Sequence, residues 1–188
     1  MKDLTPVDDA ELLRRARAGD RDAFGRIIAM HQVAAVRLAT IICGDPTEAY
    51  DIVQEAFVRA HRALPGVRSA DGITPWLLRI VANEAKNSRR GSWRRDRRHR
   101  RHAALRAPSA VGPEDAALSD ADADALLRAI GELSDRDRVI LGCRYFAGLN
   151  EAETAAALGV APGTVKSRTA RALERLRVRL GDTMEVTE

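Results

Sequence analysis

The sequence predicts an all-α protein of two small helical domains joined by a flexible linker, the second domain a helix-turn-helix. Three observations carry that prediction. Apolar residues recur at helical spacing along most of the 188 residues, and no alternating strand pattern of useful length interrupts them. Between Ala103 and Ser119 the periodicity fades into a small-residue, proline-containing stretch with the composition of a linker. After it, Asn150 to Leu180 reads as a short helix, a glycine turn and a longer helix with a basic first turn. The boundaries that follow are 1–98 for the first domain, 99–121 for the linker and 122–188 for the second domain.

The elements are justified in chain order. Asp8 and Glu11 have capping-box spacing ahead of Leu12 and Leu13, and this first helix runs to Gly19. Asp20 opens a second, whose Phe24, Ile27, Ile28, Val33, Val36, Leu38, Ile41 and Ile42 supply the surface of a central core helix. Gly44, Asp45 and Pro46 stop it and start the third, with Asp45 as N-cap and Pro46 at the first helical position. There Ile52, Val53, Ala56, Phe57 and Ala60 turn inward, leaving Glu48, Asp51, Gln54 and Glu55 outside. A loop from Pro65 to Thr74 precedes a fourth helix opened by Pro75, with Trp76, Leu77, Ile80 and Val81 as its buried stripe. Its other side carries Arg79, Asn83, Lys86, Asn87 and Arg90 and runs into the block RRGSWRRDRRHRRH. Beyond the linker, Leu126, Leu127 and Ile130 mark a fifth helix, and a Ser134 cap leads through Val139, Ile140, Cys143 and Phe146. Asn150 caps the next helix, with Glu153 completing a capping box; Gly159 makes the bend and Pro162 starts the last helix. Val165, Ala172, Leu176 and Leu180 lie on or near one face of that helix with Leu173 beside them, while Lys166, Ser167, Arg171 and Arg175 face away.

Composition narrows the function. Net charge is only +4, from Lys+Arg 31 and Asp+Glu 27, but the charges are segregated, with a dense arginine block in the middle and acids on either side. A local basic stripe attracts phosphate over about 8 Å at physiological salt. Cys43 and Cys143 fall on apolar helix faces without metal-ligand spacing and read as reduced, buried thiols, poor redox sensors because an apolar setting raises thiol pKa. The N-terminal stretch lacks a signal-peptide core, and Val33 to Cys43 is short for a bilayer and interrupted by Arg37, so a cytoplasmic protein without membrane insertion is expected. His31, His61, His99 and His102 form no metal or nucleophile motif and no phosphate-binding glycine loop exists, so no enzyme activity, catalytic residue, metal or cofactor is expected.

Two constellations remain, each with a plain alternative. Asp51, Gln54 and Glu55 form an i, i+3, i+4 set that is a docking surface or a solvated face. Arg79, Asn83, Lys86 and Arg90 form a stripe suited to a nucleic-acid backbone or single strand, or an ordinary hydrophilic face. Trp76 reads as core, and Trp93 stands among arginines.

In this order and spacing, the helix DIVQEAFVRAHRAL, the helix WLLRIVANEAKNSRR, a linker and the GTVKSR helix-turn-helix resemble bacterial sigma factors of the extracytoplasmic function type, and the resemblance covers nearly the whole chain. It implies a dissociable initiation subunit that binds the clamp helices and flap of core RNA polymerase, recognises minus-ten and minus-thirty-five promoter elements and assists strand opening. Asp51, Gln54 and Glu55 match the clamp-docking motif. Arg68, Ser69, Asp71 and Thr74 match the loop that captures a flipped minus-ten base, and Arg79, Asn83, Lys86 and Arg90 the helix holding the opened strand. Lys166, Ser167 and Arg171 match positions facing the minus-thirty-five major groove, with Thr164 and Arg168 anchoring phosphate. The linker acids Glu114, Asp115, Asp120, Asp122 and Asp124 either imitate RNA in the exit path or merely solubilise. An anti-sigma factor that masks the DNA-binding faces is implied as a partner. Ala161 departs from the pattern, standing where a capping side chain is usual. A stand-alone duplex-binding regulator and an RNA- or membrane-binding arginine protein are the competing classes.

Overall fold

The computed structural model describes residues 9–67, 72–99 and 120–185, and these form helices and turns without a strand among them. Helices α1 (Asp9–Arg17), α2 (Arg21–Cys43), α3 (Pro46–Ala63) and α4 (Ile73–His99) make the N-terminal half, with a 3-10 turn at Leu64–Gly66. Helices α5 (Asp120–Glu132), α6 (Asp135–Leu141), α7 (Glu151–Leu158) and α8 (Pro162–Glu185) make the C-terminal half, and a π-turn at Gly142–Phe146 continues α6.

Local chemistry explains the boundaries. Asp20 caps α2, its carboxylate accepting from the Ala23 N–H at 3.0 Å and from Arg15 at 2.7 Å, and these bonds hold its pKa below the usual range. At the other end Gly44 takes φ +84°, the left-handed conformation that lets its N–H reach the Thr40 carbonyl. Asp45 accepts from the Thr47 and Glu48 amides, and Pro46 occupies the first turn of α3, where a missing N–H costs nothing. The start of α4 differs from the sequence expectation, since it begins at Ile73, so Pro75 lies inside the first turn and Thr74 belongs to the helix. First-turn amides have no intrahelical acceptor, which is why the ring is tolerated there. Asp8, Arg68, Ser69, Asp71, Glu114, Asp115 and most of the linker lie outside the described residues, as do the side chains of Trp93 and Asp120.

The core of the N-terminal half is built on close approach. Ala35, Ala39, Ala49, Ala56, Ala60 and Ala85 are all fully buried, and these small side chains let α2, α3 and α4 pack tightly around Ile27, Leu38, Ile42, Leu77 and Leu78. Among the described residues α2 as a whole is long and apolar enough to cross a membrane by length and composition, which the shorter stretch Val33–Cys43 did not suggest. Its apolar side is turned onto α1, α3 and α4. Val33, expected in that core, is instead 61% exposed, and Met30 is 54% exposed beside it; both fall outside the arc that the three neighbours cover. The second half has its own cluster, Leu133, Ile140, Leu141, Ala155, Val165 and Ala172. Leu173, on the outer side of α8, is 40% exposed.

The halves also share a core. Val139, Cys143, Leu149 and Ala157 from the C-terminal half are buried in the cluster formed by α1 to α4. Gly142 lies so close to α2 that an added Cβ would come within 2.8 Å of Leu38 Cδ1.

His31 is buried in α2 with its Nε2 unpartnered, and burial holds its pKa below the ordinary value against a weaker opposing pull from Asp9. The unfolded chain therefore takes up this proton first. Stability is expected to be lost as pH falls through about 6.5, the ordinary histidine value, and to level off below the folded pKa. Thermal melts from about pH 7.5 to about pH 5.5 check this; His31→Gln, which cannot charge, should show a smaller fall in Tm.

Candidate nucleic-acid interface

Three surfaces carry the functional candidates. On α3, Asp51, Gln54 and Glu55 are exposed together, as the i, i+3, i+4 spacing demands once Ile52, Val53, Ala56 and Phe57 have been buried. Glu48 departs from this set: it is half-buried and accepts a hydrogen bond from Ser88 of α4. Sequence reasoning missed two members of the surface. Tyr50 is 54% exposed and Val58 46% exposed, and with Gln54 they make an i, i+4, i+8 stripe beside Asp51 and Glu55. The available signal was their phase, apolar residues falling off the buried face.

The basic surface belongs to α4. Leu77, Leu78, Val81, Ala82 and Ala85 are buried, which turns Arg79, Asn83, Asn87 and Arg90 outward and leaves Lys86 half-buried. An open cleft of about 470 Å³ between α3 and α4 is lined by Arg59, Asn83, Lys86, Asn87 and Arg90. Arg59 is held there by Glu84 at 2.7 Å. Burial pulls the Lys86 pKa down and the neighbouring Arg90 adds to it. The stripe is not uniformly free: Arg79 donates to the carbonyls of Ala156 at 2.6 Å and Ala157 at 3.3 Å, at the end of α7.

The third surface is the first part of α8. Asn150 and Glu153 form the expected capping box, with Asn150 Oδ1 accepting from the Glu153 amide at 2.9 Å and Glu153 Oε2 from the Asn150 amide at 2.8 Å. Gly159 bends the chain at φ +65°. Ala161 offers no capping side chain; its carbonyl accepts from the Thr164 and Val165 amides and so starts the ladder of α8. Val165 and Ala172 are fully buried, which fixes the rotation of the helix and sends Lys166, Ser167, Arg168 and Arg171 into solvent with Thr164 at the margin. A larger groove of about 880 Å³ runs from Arg168 and Arg171 along α8 towards Arg136 and Asp137 of α6. Arg175 faces solvent as expected and also pairs with Asp137 at 2.8 Å in that groove. Among the described residues no three His, Cys, Asp or Glu groups could hold a metal ion.

Comparison with known proteins assigns this arrangement. Residues 27–95 match the family "Sigma-70 region 2" and residues 123–176 match "Sigma-70, region 4". The ECF RNA polymerase sigma factor SigM of Mycobacterium tuberculosis (strain H37Rv) is 35% identical over 173 residues, covering 92% of this chain and 85% of the relative. The chain belongs to the extracytoplasmic function sigma factors. The ECF RNA polymerase sigma-E factor of Escherichia coli K12 is 32% identical over 182 residues, covering 90% and 93% of the two chains. Among solved structures, CnrH in complex with the cytosolic domain of CnrY superposes with a TM-score of 0.67 at 26% identity, covering 93% and 97%. The protein is thus an alternative sigma factor, an initiation factor and not an enzyme, that directs promoter-specific transcription. Region 2 contains the acidic and basic surfaces of α3 and α4, and region 4 contains the helix-turn-helix of α7 and α8.

The two thiols stand apart from these surfaces in chemistry. Burial pushes Cys43 up to about 11 and Cys143 up to about 12. At about pH 8 the folded protein is expected to react with iodoacetamide at least about a hundredfold more slowly than the unfolded chain, because only the thiolate is nucleophilic. Mass spectrometry of alkylated peptides from native and denatured protein measures the difference.

Proposed function

We propose that this sigma factor acts in the cytoplasm by docking the α3 surface on the clamp helices of core RNA polymerase while region 4 engages the flap and the minus-thirty-five duplex. The observation that carries the reading is the division of surfaces. Acids and apolar side chains share the outside of α3, amides and cations the outside of α4, and an unobstructed basic turn opens α8. Asp51, Gln54 and Glu55 supply the polar contacts of docking, and Tyr50 and Val58 exclude water around them, the arrangement that strengthens interfacial charge pairs. Asn83, Lys86, Asn87 and Arg90 line the cleft that would take an unpaired strand, with Thr74 at the first turn of the same helix. An amide reads base edges while cations neutralise phosphates, and together these contacts offset the few kcal/mol, roughly, of unstacking a base. Lys166, Ser167 and Arg171 read the duplex, with Thr164 and Arg168 as phosphate anchors. The domain limits 1–98, 99–121 and 122–188, and the base-capturing role of Arg68, Ser69 and Asp71, are part of the same proposal. So is an anti-sigma partner, supported by the solved relatives CnrH with CnrY and, in Bartonella quintana, RpoE with NepR.

Runoff transcription with purified core polymerase tests the reading. The chain is expected to confer specific transcripts, and Asp51→Arg with Glu55→Arg to abolish both transcription and capture of core polymerase; full activity in that double variant contradicts docking through α3. Replacing Arg171 by Ala is expected to cost about 1–3 kcal/mol of promoter affinity, roughly 5- to 150-fold, without weakening polymerase capture.

A further inference from the structure

The chain carries its positive charge almost entirely as arginine, and the lysines among the described residues are Lys86 on α4 and Lys166 on α8. The two side chains differ in one chemical respect: a lysine amine can lose its proton and act as a nucleophile, whereas a guanidinium stays charged. Lys166 is exposed. Lys86 is half-buried in the open cleft of about 470 Å³ between α3 and α4, beside Arg59, Asn83, Asn87 and Arg90 and the apolar Ala63 and Ile80. Arg90 follows it by one helical turn, so two like charges are neighbours on α4. The acids nearby are engaged by arginines. Glu84 pairs with Arg59 at 2.7 Å, and Asp135 of α6 is shared by Arg89 and Arg138. Among the described residues Lys86 therefore has no carboxylate partner. Burial and Arg90 outweigh the attraction of Cys143 and Asp135 and hold its pKa below the ordinary lysine value. A desolvated amine beside a second cation is an activated nucleophile.

We infer that Lys86 is an acylation site whose donor is a short-chain acyl phosphate, its phosphate drawn by Arg59 and Arg90 and its acyl group seated against Ile80 and Ala63. Guanidinium groups bind phosphate oxygens through paired N–H donors, and Arg59 meets Glu84 through one nitrogen, with further donors to share. In the reaction the unprotonated Nζ of Lys86 attacks the acyl carbonyl carbon. A C–N bond forms as the C–O bond to phosphate breaks, and the leaving phosphate takes the electron pair of that bond and one amine proton. An amide and hydrogen phosphate result. The consequence for function rests on the assignment of α4 to the opened strand; the modification itself does not. An acylated Lys86 is neutral and bulkier, so the cleft loses a phosphate contact while the outer surfaces of α3 and α8 are unaltered. For single-strand binding, losing one such contact lowers the slope of log affinity against log salt by about 0.7.

Acetyl phosphate is the probe, applied to the full native chain, with peptide mass spectrometry following acetylation at each lysine over time. Lys86 is expected to be acetylated several-fold faster than the more exposed Lys166, and denaturant to erase the preference. At constant ionic strength, inorganic phosphate should slow the reaction of Lys86 and spare that of Lys166; Arg59→Gln should do the same. A Lys86 that reacts no faster than Lys166, or that responds to phosphate as Lys166 does, overturns the inference. If Arg59→Gln loses helicity by circular dichroism, phosphate competition on the unmodified chain still decides. The acetylated chain is then titrated with a fluorescent single-stranded oligonucleotide at several salt concentrations, alongside Lys86→Arg treated identically, which cannot be acylated at that position. Treatment is expected to lower the salt slope of the natural chain by about 0.7 and to leave that of the variant where it was before treatment. Acetylation of Lys86 without a change in slope leaves the modification site standing and defeats the assignment of α4 to the opened strand. An unreactive Lys86 in a chain that supports runoff transcription defeats only the acylation site.

Discussion

Everything in region 2 depends on how closely three helices can approach. Six alanines with no exposed surface line the contacts among α2, α3 and α4, and each small side chain lets the larger Ile27, Leu38, Ile42, Leu77 and Leu78 interlock. A helix buried on one face has only the opposite face to offer, so tight packing of the apolar side determines the bearing of every charged group. The acids of α3 and the cations of α4 are consequences of that rotation. Their helices are tied at the margin by Arg59 with Glu84 and by Ser88 with Glu48, which hold the two outer surfaces in one orientation relative to each other.

Region 4 solves the same problem with less material. Val165 and Ala172 are buried against Leu133, Ile140, Leu141 and Ala155, and the spacing of those two α8 residues aims Lys166, Ser167 and Arg171 outward. The turn that sets the angle between α7 and α8 relies on Gly159, whose φ of +65° is strained for residues with a side chain. The missing cap at Ala161 is made good by backbone: its carbonyl accepts two amides, and Pro162 presents no first-turn N–H to satisfy. Salt bridges Arg175–Asp137 and Arg179–Glu132 then tie α8 to the helices before it. The Arg179–Glu132 pair, exposed on both sides, contributes little to stability.

The seam between the halves differs in character from either core. It combines small or apolar residues, Cys143, Leu149 and Ala157, with hydrogen bonds to helix-end carbonyls and an aspartate shared by two arginines. Contacts of that mixed kind resemble interfaces that form and part, since each polar group has water or phosphate as an alternative partner. Arg79 is the clearest case, because a guanidinium that caps a helix is chemically equipped to bind a phosphate.

Most of the architecture was legible along the chain. The helix order, the caps at Asp20, Asp45, Ser134 and Asn150, the bend at Gly159 and the surfaces around Asp51, Asn83 and Lys166 all follow from local periodicity and from side chains that satisfy neighbouring amides. Such signals are short-range, so one sequence contains them in full. The start of α4 was misplaced by two residues because a proline marks the first turn without specifying which position of it. The exposure of Val33, Tyr50 and Val58, the capture of Arg79 by α7, and the sharing of Asp135 between Arg89 and Arg138 were beyond its reach. Each of those depends on which distant helix lies alongside, and Arg79 is 77 residues from the carbonyl it binds at Ala156. The sequence by itself determined the helices, their inward faces and the family. Only tertiary packing decided which outward groups stay free, because the competition between solvent and a remote helix end is settled by distance in space.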